Sequence, residues 1–188
     1  VSLLQHGARS HRAARMQTLS LHPDCLAGPI RSVTANLRAT PAGCQAEFRL
    51  EGDIAAIKVP PIALPERHDF LWQTTCFEIF WQPHGGTWYR EFNLSPSSCW
   101  AAYDFDDFRL NSRDAPVDAI AVACSWSGSE LVLRADIAAE LRDPAQVALN
   151  AVVEDHSGNI QYWALAFPHG KPEFHSEICR QLQVERGA

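Results

Sequence analysis

Two glutamates, Glu78 and Glu91, lie inside strand-like runs of a segment rich in aromatic residues, 71–108. A carboxylate that points from a strand into an apolar interior loses its hydration, so it must accept hydrogen bonds, bind a ligand or take up a proton. The residues on either side of Glu78 are largely apolar, whereas Glu91 stands between Arg90 and Phe92. This segment therefore contains the candidate site of the chain.

The alternation of side chains along a strand predicts that the two glutamates share one face of a sheet. Each lies in a run of strand length, and the turn at 84–86, with its two glycines, is typical of a hairpin between the runs. Pairing through this turn would bring Glu78 and Glu91 together, with Asn93 in the same polar row. Two neighbouring carboxylates raise one pKa, or attract a cation, a hydroxyl ligand or an arginine. Arg109, at the end of the next strand-like run, is the nearest arginine that could serve.

Motifs of the common catalytic classes do not accompany these acids in the sequence. No serine stands in a nucleophile elbow, no glycine-rich phosphate loop occurs, and the six cysteines and eight histidines lack zinc-ligand spacing. Two carboxylates on adjacent strands could cleave a glycosidic bond, so a glycosidase is the enzymatic alternative. We expect a binding protein without catalytic activity and without a bound metal.

Length and charge restrict the class of partner. The 188 residues, 46% hydrophobic and 20% charged, suffice for one globular domain with a single core. The formal net charge of -6 argues against binding to phosphate backbones, which requires clustered lysine and arginine. We therefore expect neither a nucleic-acid partner nor a membrane partner.

Short runs with period-two alternation, separated by turn residues, predict about ten strands. Hairpin-type turns between them favour antiparallel pairing. The stretch 137–142 predicts a helix of one or two turns, too short to cover a parallel sheet. The predicted fold is therefore all-β, a single antiparallel β-sandwich of immunoglobulin-like or jelly-roll-like kind with one short helix. The predicted strands are 32–39, 44–51, 54–59, 75–81, 88–95, 100–108, 120–127, 130–136, 147–154 and 160–166.

The first fifteen residues differ from the rest of the chain. Arg9, Arg12 and Arg15 stand among small and polar residues, without an apolar h-region or a cleavage pattern. We interpret residues 1–15 as a disordered or non-native leader rather than a signal peptide, and the domain as residues 16–188. Because no export signal is recognised, the expected location is the cytoplasm.

Three runs of the sequence resemble a known family. They are LWQTTCFEIFWQP, WYREFNLSPSSCWAAYDFDDFR and, near the C-terminus, QYWALAFPHGKPEFH. Together they resemble the DOMON-like superfamily, in particular its small bacterial stand-alone members, over about residues 19–184. The resemblance implies a β-sandwich that binds either haem or sugars and is related to the family-9 carbohydrate-binding modules.

The resemblance also implies roles for individual residues. In the sugar-binding relatives an aromatic pair grips a terminal sugar ring and a nearby acid binds its hydroxyls, which suggests Trp72 with Glu78 and, as the second aromatic, Trp163. A tryptophan face covers the C–H side of a pyranose, while carboxylate, amide and guanidinium groups bind its hydroxyls. The alternative for Trp163 is a place in the core, which is the commoner position of a tryptophan in a sandwich.

The C-terminal run PHGKPEFH has two interpretations. It is either a rigid surface loop that closes one end of the sandwich, or it folds back so that Lys171 and His175 pair electrostatically with the face of Glu78 and Glu91. The predicted ligand-binding residues are Trp72, Glu78, Glu91, Asn93, Arg109, Trp163, Lys171 and His175.

The predicted function is the binding of a carbohydrate or another polyol, and two alternatives stay open. The haem-binding relatives use a methionine and a histidine, or a similar pair, as axial ligands. The sole methionine, Met16, lies at the start of the domain, so a haem-binding electron-transfer domain would need this residue, two histidines, or a histidine with Lys171. The other alternative is a structural module that binds a protein partner or a second copy of itself.

Overall fold

The computed structural model describes residues 15–185, which form an almost purely β structure. This part of the chain contains twelve strands, three short 3-10 helices and no α-helix. The strands are β1 (Gln17–Leu21), β2 (Ile30–Thr40), β3 (Gly43–Gly52), β4 (Cys76–Pro83), β5 (Tyr89–Leu94), β6 (Trp100–Phe105), β7 (Arg113–Asp114), β8 (Ala119–Trp126), β9 (Glu130–Ala138), β10 (Ala145–Glu154), β11 (Ile160–Ala164) and β12 (Leu182–Val184). The 3-10 helices span Ile54–Ala56, Leu71–Gln73 and Glu177–Cys179. The predicted leader, apart from Arg15, lies outside the described residues.

The strands form one antiparallel sheet that is curled into a half-barrel. Its order is β7-β6-β5-β4-β10-β11-β1-β2-β3-β9-β8, and β12 pairs with β10. Strand β1 joins the two halves, because residues 17–19 pair with β2 while Ser20 and Leu21 pair with β11. The prediction of an all-β, antiparallel fold is confirmed, whereas its division into two separate stacked sheets is not.

The main hydrophobic core lies inside the curl, where the two halves of the sheet face each other. Phe48 of β3 and Phe77 of β4 meet there with their ring centroids 5.0 Å apart. Alternate residues of the central strands, such as Ile79, Phe92 and Leu149, are fully buried in the same core. Burying a side chain of this size contributes roughly 1.5–3 kcal/mol to the free energy of unfolding.

The predicted helix at 137–142 is wrong, because β9 continues to Ala138 and an irregular segment follows. Ile137 lies opposite Cys44 of β3 and Ile120 of β8, so the backbone here is hydrogen-bonded in a ladder on both sides. The period-two alternation of β9 extends through Ile137 and keeps its side chain in the core. Tertiary pairing thus overrides the weak helical tendency of a short segment.

The predicted strand at 54–59 is also wrong in its first half. Residues Ile54–Ala56 form a 3-10 helix, closed by the Ile57 N–H, which donates to the Ile54 carbonyl at 3.3 Å. The other nine predicted strands correspond to β2–β6 and β8–β11 within a few residues at their ends. Strands β1, β7 and β12, of two to five residues each, were not predicted.

A second, smaller hydrophobic cluster covers the opposite face of β4, β5, β6, β10 and β11. The C-terminal segment 165–181 crosses this face, and its Phe174 and Cys179 are buried there against Phe80 and Val152. Because Glu78 alternates with Phe77 and Ile79 of the main core, its side chain points to this second face. None of the helical segments in residues 15–185 has the length and hydropathy needed to cross a bilayer.

Candidate ligand-binding site

The second face of the sheet carries a cavity of about 670 Å³. Its floor is formed by β4, β5, β6, β10 and β11, and its rim by loops around residues 69–73, 109–112 and 172–175. The charged and polar residues of the lining include Asp69, Gln73, Glu78, Glu91, Arg109 and His175. The aromatic residues are Phe70, Trp72, Tyr103, Phe105, Tyr162 and Phe174. The volume is within the range of small-molecule sites, about 300–1,000 Å³.

Glu78 lies on the floor of the cavity, in the middle of β4. Only 4% of the residue is exposed, and it makes no hydrogen bond or ion pair with the described part of the chain. Burial, and after it the negative charge of Glu91, raises the pKa of Glu78 well above its usual value. This shift favours the protonated carboxyl, which can both donate and accept a hydrogen bond.

Glu91 lies beside it on β5 and is 5% exposed. Its Oε1 accepts a hydrogen bond from Asn93 Nδ2 at 2.6 Å, and its Oε2 lies 3.7 Å from His175 Nε2. Burial raises the pKa of Glu91 to about 7, although the Asn93 amide opposes this by stabilising the ionised form. The structure thus brings both glutamates to one face of the hairpin, and Asn93, two residues from Glu91 on the same face of β5, holds Glu91 by this hydrogen bond.

Asn93 belongs to a row of polar side chains across three strands. Glu78 lies opposite Asn93 of β5 on one side and opposite Asn150 of β10 on the other. Both asparagines are fully buried. Neither side-chain polar atom of Asn150 has a hydrogen-bond partner within residues 15–185. Asn150 was not among the predicted site residues, although a polar residue inside the apolar run of β10 is the same kind of signal as Glu78 inside β4.

His175 reaches the cavity from the C-terminal segment. Its Nδ1 lies 2.7 Å from Tyr89 Oη, and its ring makes edge contacts with Phe80 and Phe105, with centroids 5.1 and 5.0 Å apart. Burial, followed by the charges of Arg109 and Arg180, lowers the pKa of His175 to about 3, so the imidazole is neutral. When the proton is on Nε2, Tyr89 donates to Nδ1 and the Nε2–H faces Glu91.

Arg109 lies at the mouth of the cavity and is clamped by a residue that the sequence analysis missed. Its Nη2 donates to Glu173 Oε1 at 2.9 Å and its Nε to Glu173 Oε2 at 3.1 Å. The backbone N–H of Arg109 donates to Tyr89 Oη at 3.1 Å. This bidentate pair links the loop after β6 to the C-terminal segment, so Arg109 lies near the two acids while its guanidinium is engaged by Glu173.

Trp72 forms part of the mouth on the opposite side. It lies in the 3-10 helix Leu71–Gln73, where 48% of the residue is exposed, and its ring makes an edge contact with Phe70 at 6.5 Å. An indole with this exposure at the rim of a cavity presents an apolar surface that a ligand can cover. Trp72 is therefore available to cover one face of a ligand.

Trp163 and Lys171, two of the predicted ligand-binding residues, do not line the cavity. Trp163 is 5% exposed and lies in the main core, because β11 directs it to the face opposite that of Tyr162. Tyr162 takes the position at the cavity that was expected for Trp163. Lys171 is exposed, whereas its neighbour Pro172 lines the cavity.

The side chains at the cavity do not fit a haem ligated by the expected pairs. His175 is the only histidine of the lining within residues 15–185. Met16 lies away from the cavity, where its Sδ accepts a hydrogen bond from Asn36 Nδ2 of β2 at 2.9 Å. A methionine, a second histidine or a lysine is thus not placed opposite His175.

The fold is similar to that of a solved protein. The chain resembles the crystal structure, at 2.70 Å resolution, of a putative carbohydrate-binding protein from Bacteroides uniformis ATCC 8492. The TM-score is 0.63 at 12% sequence identity, and the match covers 88% of this chain and 84% of that chain. No family model and no curated protein matches the sequence. At this level of identity the similarity establishes a common fold.

Proposed function

We propose that this protein is a non-catalytic binding module for a carbohydrate or a similar polyol, of the DOMON-like type that its sequence resembles. The observation that carries the proposal is the cavity itself, in which the exposed ring of Trp72 stands at the mouth and the buried carboxyls of Glu78 and Glu91 lie on the floor. Apolar walls with a few convergent polar groups are typical of small-molecule sites.

The groups around the cavity suit the two kinds of surface that a sugar ring presents. Aromatic faces such as that of Trp72 bind the C–H surface, and carboxyl or imidazole groups bind the hydroxyls as donors and acceptors. Burial raises the pKa of Glu78 and Glu91 and lowers the pKa of His175, which favours the neutral form of each group, and a neutral group binds a hydroxyl without the cost of desolvating a charge. The structural similarity to a protein described as carbohydrate-binding supports the same choice.

The proposal is tested by calorimetric titration of the full chain with a panel of neutral mono- and disaccharides, using a matched pair of variants. Trp72→Ala removes the ring at the mouth, and Trp126→Ala removes a ring of equal exposure, 48%, on edge strand β8. We expect Trp72→Ala to weaken saccharide binding by roughly tenfold or more, as the loss of a stacking face predicts. Trp126→Ala is expected to bind as the unaltered chain does.

Two outcomes would contradict this function. The first is the absence of any saccharide binding at millimolar concentrations by the folded, unaltered chain. The second is binding that both tryptophan variants retain in full, because the sugar would then occupy another surface. Unfolding of a variant is detected by its circular dichroism spectrum, and the titration of the unaltered chain decides the first outcome independently of it.

A further inference from the structure

The two carboxyls on the cavity floor have no cation of their own within residues 15–185. Glu78 has no hydrogen-bond or ion-pair partner in this range, and Glu91 accepts one hydrogen bond, from Asn93. The nearest group of the C-terminal segment, His175 Nε2, is 3.7 Å from Glu91 and belongs to a neutral imidazole. A buried carboxyl that lines a cavity without a partner is costly to ionise unless a ligand supplies the missing charge.

The other charges around the cavity are already paired with each other. Arg109 is held by Glu173 in a bidentate pair. Asp69 accepts a hydrogen bond from Tyr103 Oη at 2.5 Å and lies 3.0 Å from the guanidinium of Arg67. Among the acids of the cavity, those on the floor, Glu78 and Glu91, are thus the ones without a cationic partner in the described residues.

We propose that the ligand of this cavity is an amino sugar, a polyol that carries a protonated amine, with its ammonium group between Glu78 and Glu91. This inference rests on the proposed function and names the class of ligand for the same site. An ammonium group has three N–H donors, which can serve both carboxylates and one further acceptor. Hydrogen bonds between charged partners are about twice as strong as those between neutral groups.

Aromatic side chains beside the floor favour the same ligand. Tyr103 and Phe105 of β6 and Tyr162 of β11 line the cavity, and the Tyr103 ring already has the guanidinium of Arg67 over it, 5.2 Å from the ring centroid. Their ring faces carry negative electrostatic potential and attract a cation within about 6 Å. Trp72, at the mouth, remains available for the C–H face of the sugar ring. A neutral sugar would contact the Trp72 ring but would carry no positive charge for the rings beside the floor to attract.

Binding of the ammonium group is linked to the release of protons. Burial raises the pKa of Glu91 to about 7 and that of Glu78 well above its usual value, so the floor holds protons at neutral pH that a cation displaces. Arg109 lowers both values and Glu173 raises both. The titratable and charged groups that face the acids are Asp69, Cys76, Tyr89, Tyr103, Arg109, Tyr162, Glu173, His175 and Cys179.

The experiment is calorimetric titration of the full chain at pH 7 with glucosamine, glucose, N-acetylglucosamine and cyclohexylamine. Each titration is repeated in two buffers of different ionisation enthalpy, which reports the protons released on binding. We expect glucosamine to bind at least about tenfold more tightly than the two neutral sugars, and to be the sugar that releases protons. Cyclohexylamine, an amine without hydroxyls, is expected to bind more weakly than glucosamine.

Variants assign the preference to the two acids. Glu78→Gln and Glu91→Gln keep a neutral hydrogen-bonding group of the same shape, so each is expected to lose the preference for glucosamine and to retain the affinity for glucose. Glu140→Gln, at an exposed position outside the cavity, is the control that keeps the preference. A circular dichroism spectrum verifies the fold of each variant.

The possible failures are distinguishable. Equal affinity for glucosamine and glucose, or binding of glucosamine without proton release, overturns the amino-sugar assignment and leaves the proposed function in place. Absence of binding by every sugar overturns both. If cyclohexylamine binds as tightly as glucosamine, the hydroxyls add nothing to the affinity, and the ligand is not a polyol. These outcomes are measured on the unaltered chain, so they do not depend on the folding of the glutamine variants.

Discussion

Asn93 of β5 and Asn150 of β10 lie opposite Glu78 from its two sides, and both are fully buried. Asn93 Nδ2 donates to Glu91 at 2.6 Å, whereas the side-chain amide of Asn150 has no hydrogen-bond partner within residues 15–185. The two asparagines thus have the same residue type and the same burial but different hydrogen bonding. The difference gives a direct test of which polar groups stabilise this sheet.

Replacing each asparagine with leucine is expected to have opposite effects. Asn93→Leu leaves a buried carboxyl oxygen without its donor and should lower the free energy of unfolding by about 1–3 kcal/mol. Asn150→Leu removes an unpaired buried amide and should be neutral or stabilising. Urea titrations of both variants measure the difference. An equal loss in the two variants would mean that Asn150 is bonded to a group other than a protein side chain, such as an ordered water.

The pKa of Glu91 predicts a fall in stability with rising pH. Its usual pKa of 4.5 is raised to about 7 in the folded chain, so between these values the folded state binds more protons than the unfolded state. The free energy of unfolding therefore decreases as the pH rises through this window, by at most about 3 kcal/mol. Glu91→Gln should abolish this contribution, whereas Glu140→Gln should retain it. Urea titrations between pH 4.5 and 8 measure it; parallel curves for Glu91→Gln and the unaltered chain would refute the assignment.

The pKa of His175 predicts the opposite trend at acidic pH, a fall in stability as the pH decreases. Its pKa is lowered from 6.5 to about 3, so the unfolded chain binds a proton in this window and the folded chain does not. The contribution of His175 to the free energy of unfolding is therefore fully present above pH 6.5 and is lost as the pH falls toward 3. His175→Phe should reduce this loss, and His169→Phe, at an exposed position, should not. Thermal melts at pH 4 and pH 7 compare the variants; an unchanged acid sensitivity in His175→Phe would show that other groups control it.

The sequence was sufficient to predict the strands that carry their own alternation. Nine runs of this kind coincide with strands, and the hairpin of β4 and β5 brings the two glutamates to one face as their spacing predicts. Strand β1 has five residues and pairs with both halves of the sheet, so its structure depends on partners that are distant in the sequence. The continuity of the sheet therefore lies beyond what local pattern predicts.

The position of the two glutamates on the floor of the cavity could be predicted from the sequence, whereas the contacts of the C-terminal segment at the rim could not. His175 meets Tyr89 across 86 residues of sequence, and Glu173 meets Arg109 across 64. Such contacts depend on how the C-terminal segment crosses the sheet, which no local pattern specifies. Trp163 is a different case, since the alternation along β11 already places it and Tyr162 on opposite faces, and the resemblance to sugar-binding relatives favoured the one that lies in the core.

The positions of Trp163 and Trp72 predict a separation of stability from binding. Trp163 is buried in the main core, so Trp163→Ala should lower the free energy of unfolding by about 3–5 kcal/mol. Trp163→Phe should cost less, because the aromatic ring is kept and the indole N–H has no partner within residues 15–185. Trp72 is half-exposed, so its alanine variant should keep the stability of the unaltered chain and lose ligand affinity. Urea titration and calorimetry of Trp163→Phe and Trp72→Ala measure both quantities. If Trp163→Phe lost affinity while its stability was unchanged, the ligand would have to lie on the core face of β11, and the cavity on the second face would not be the site.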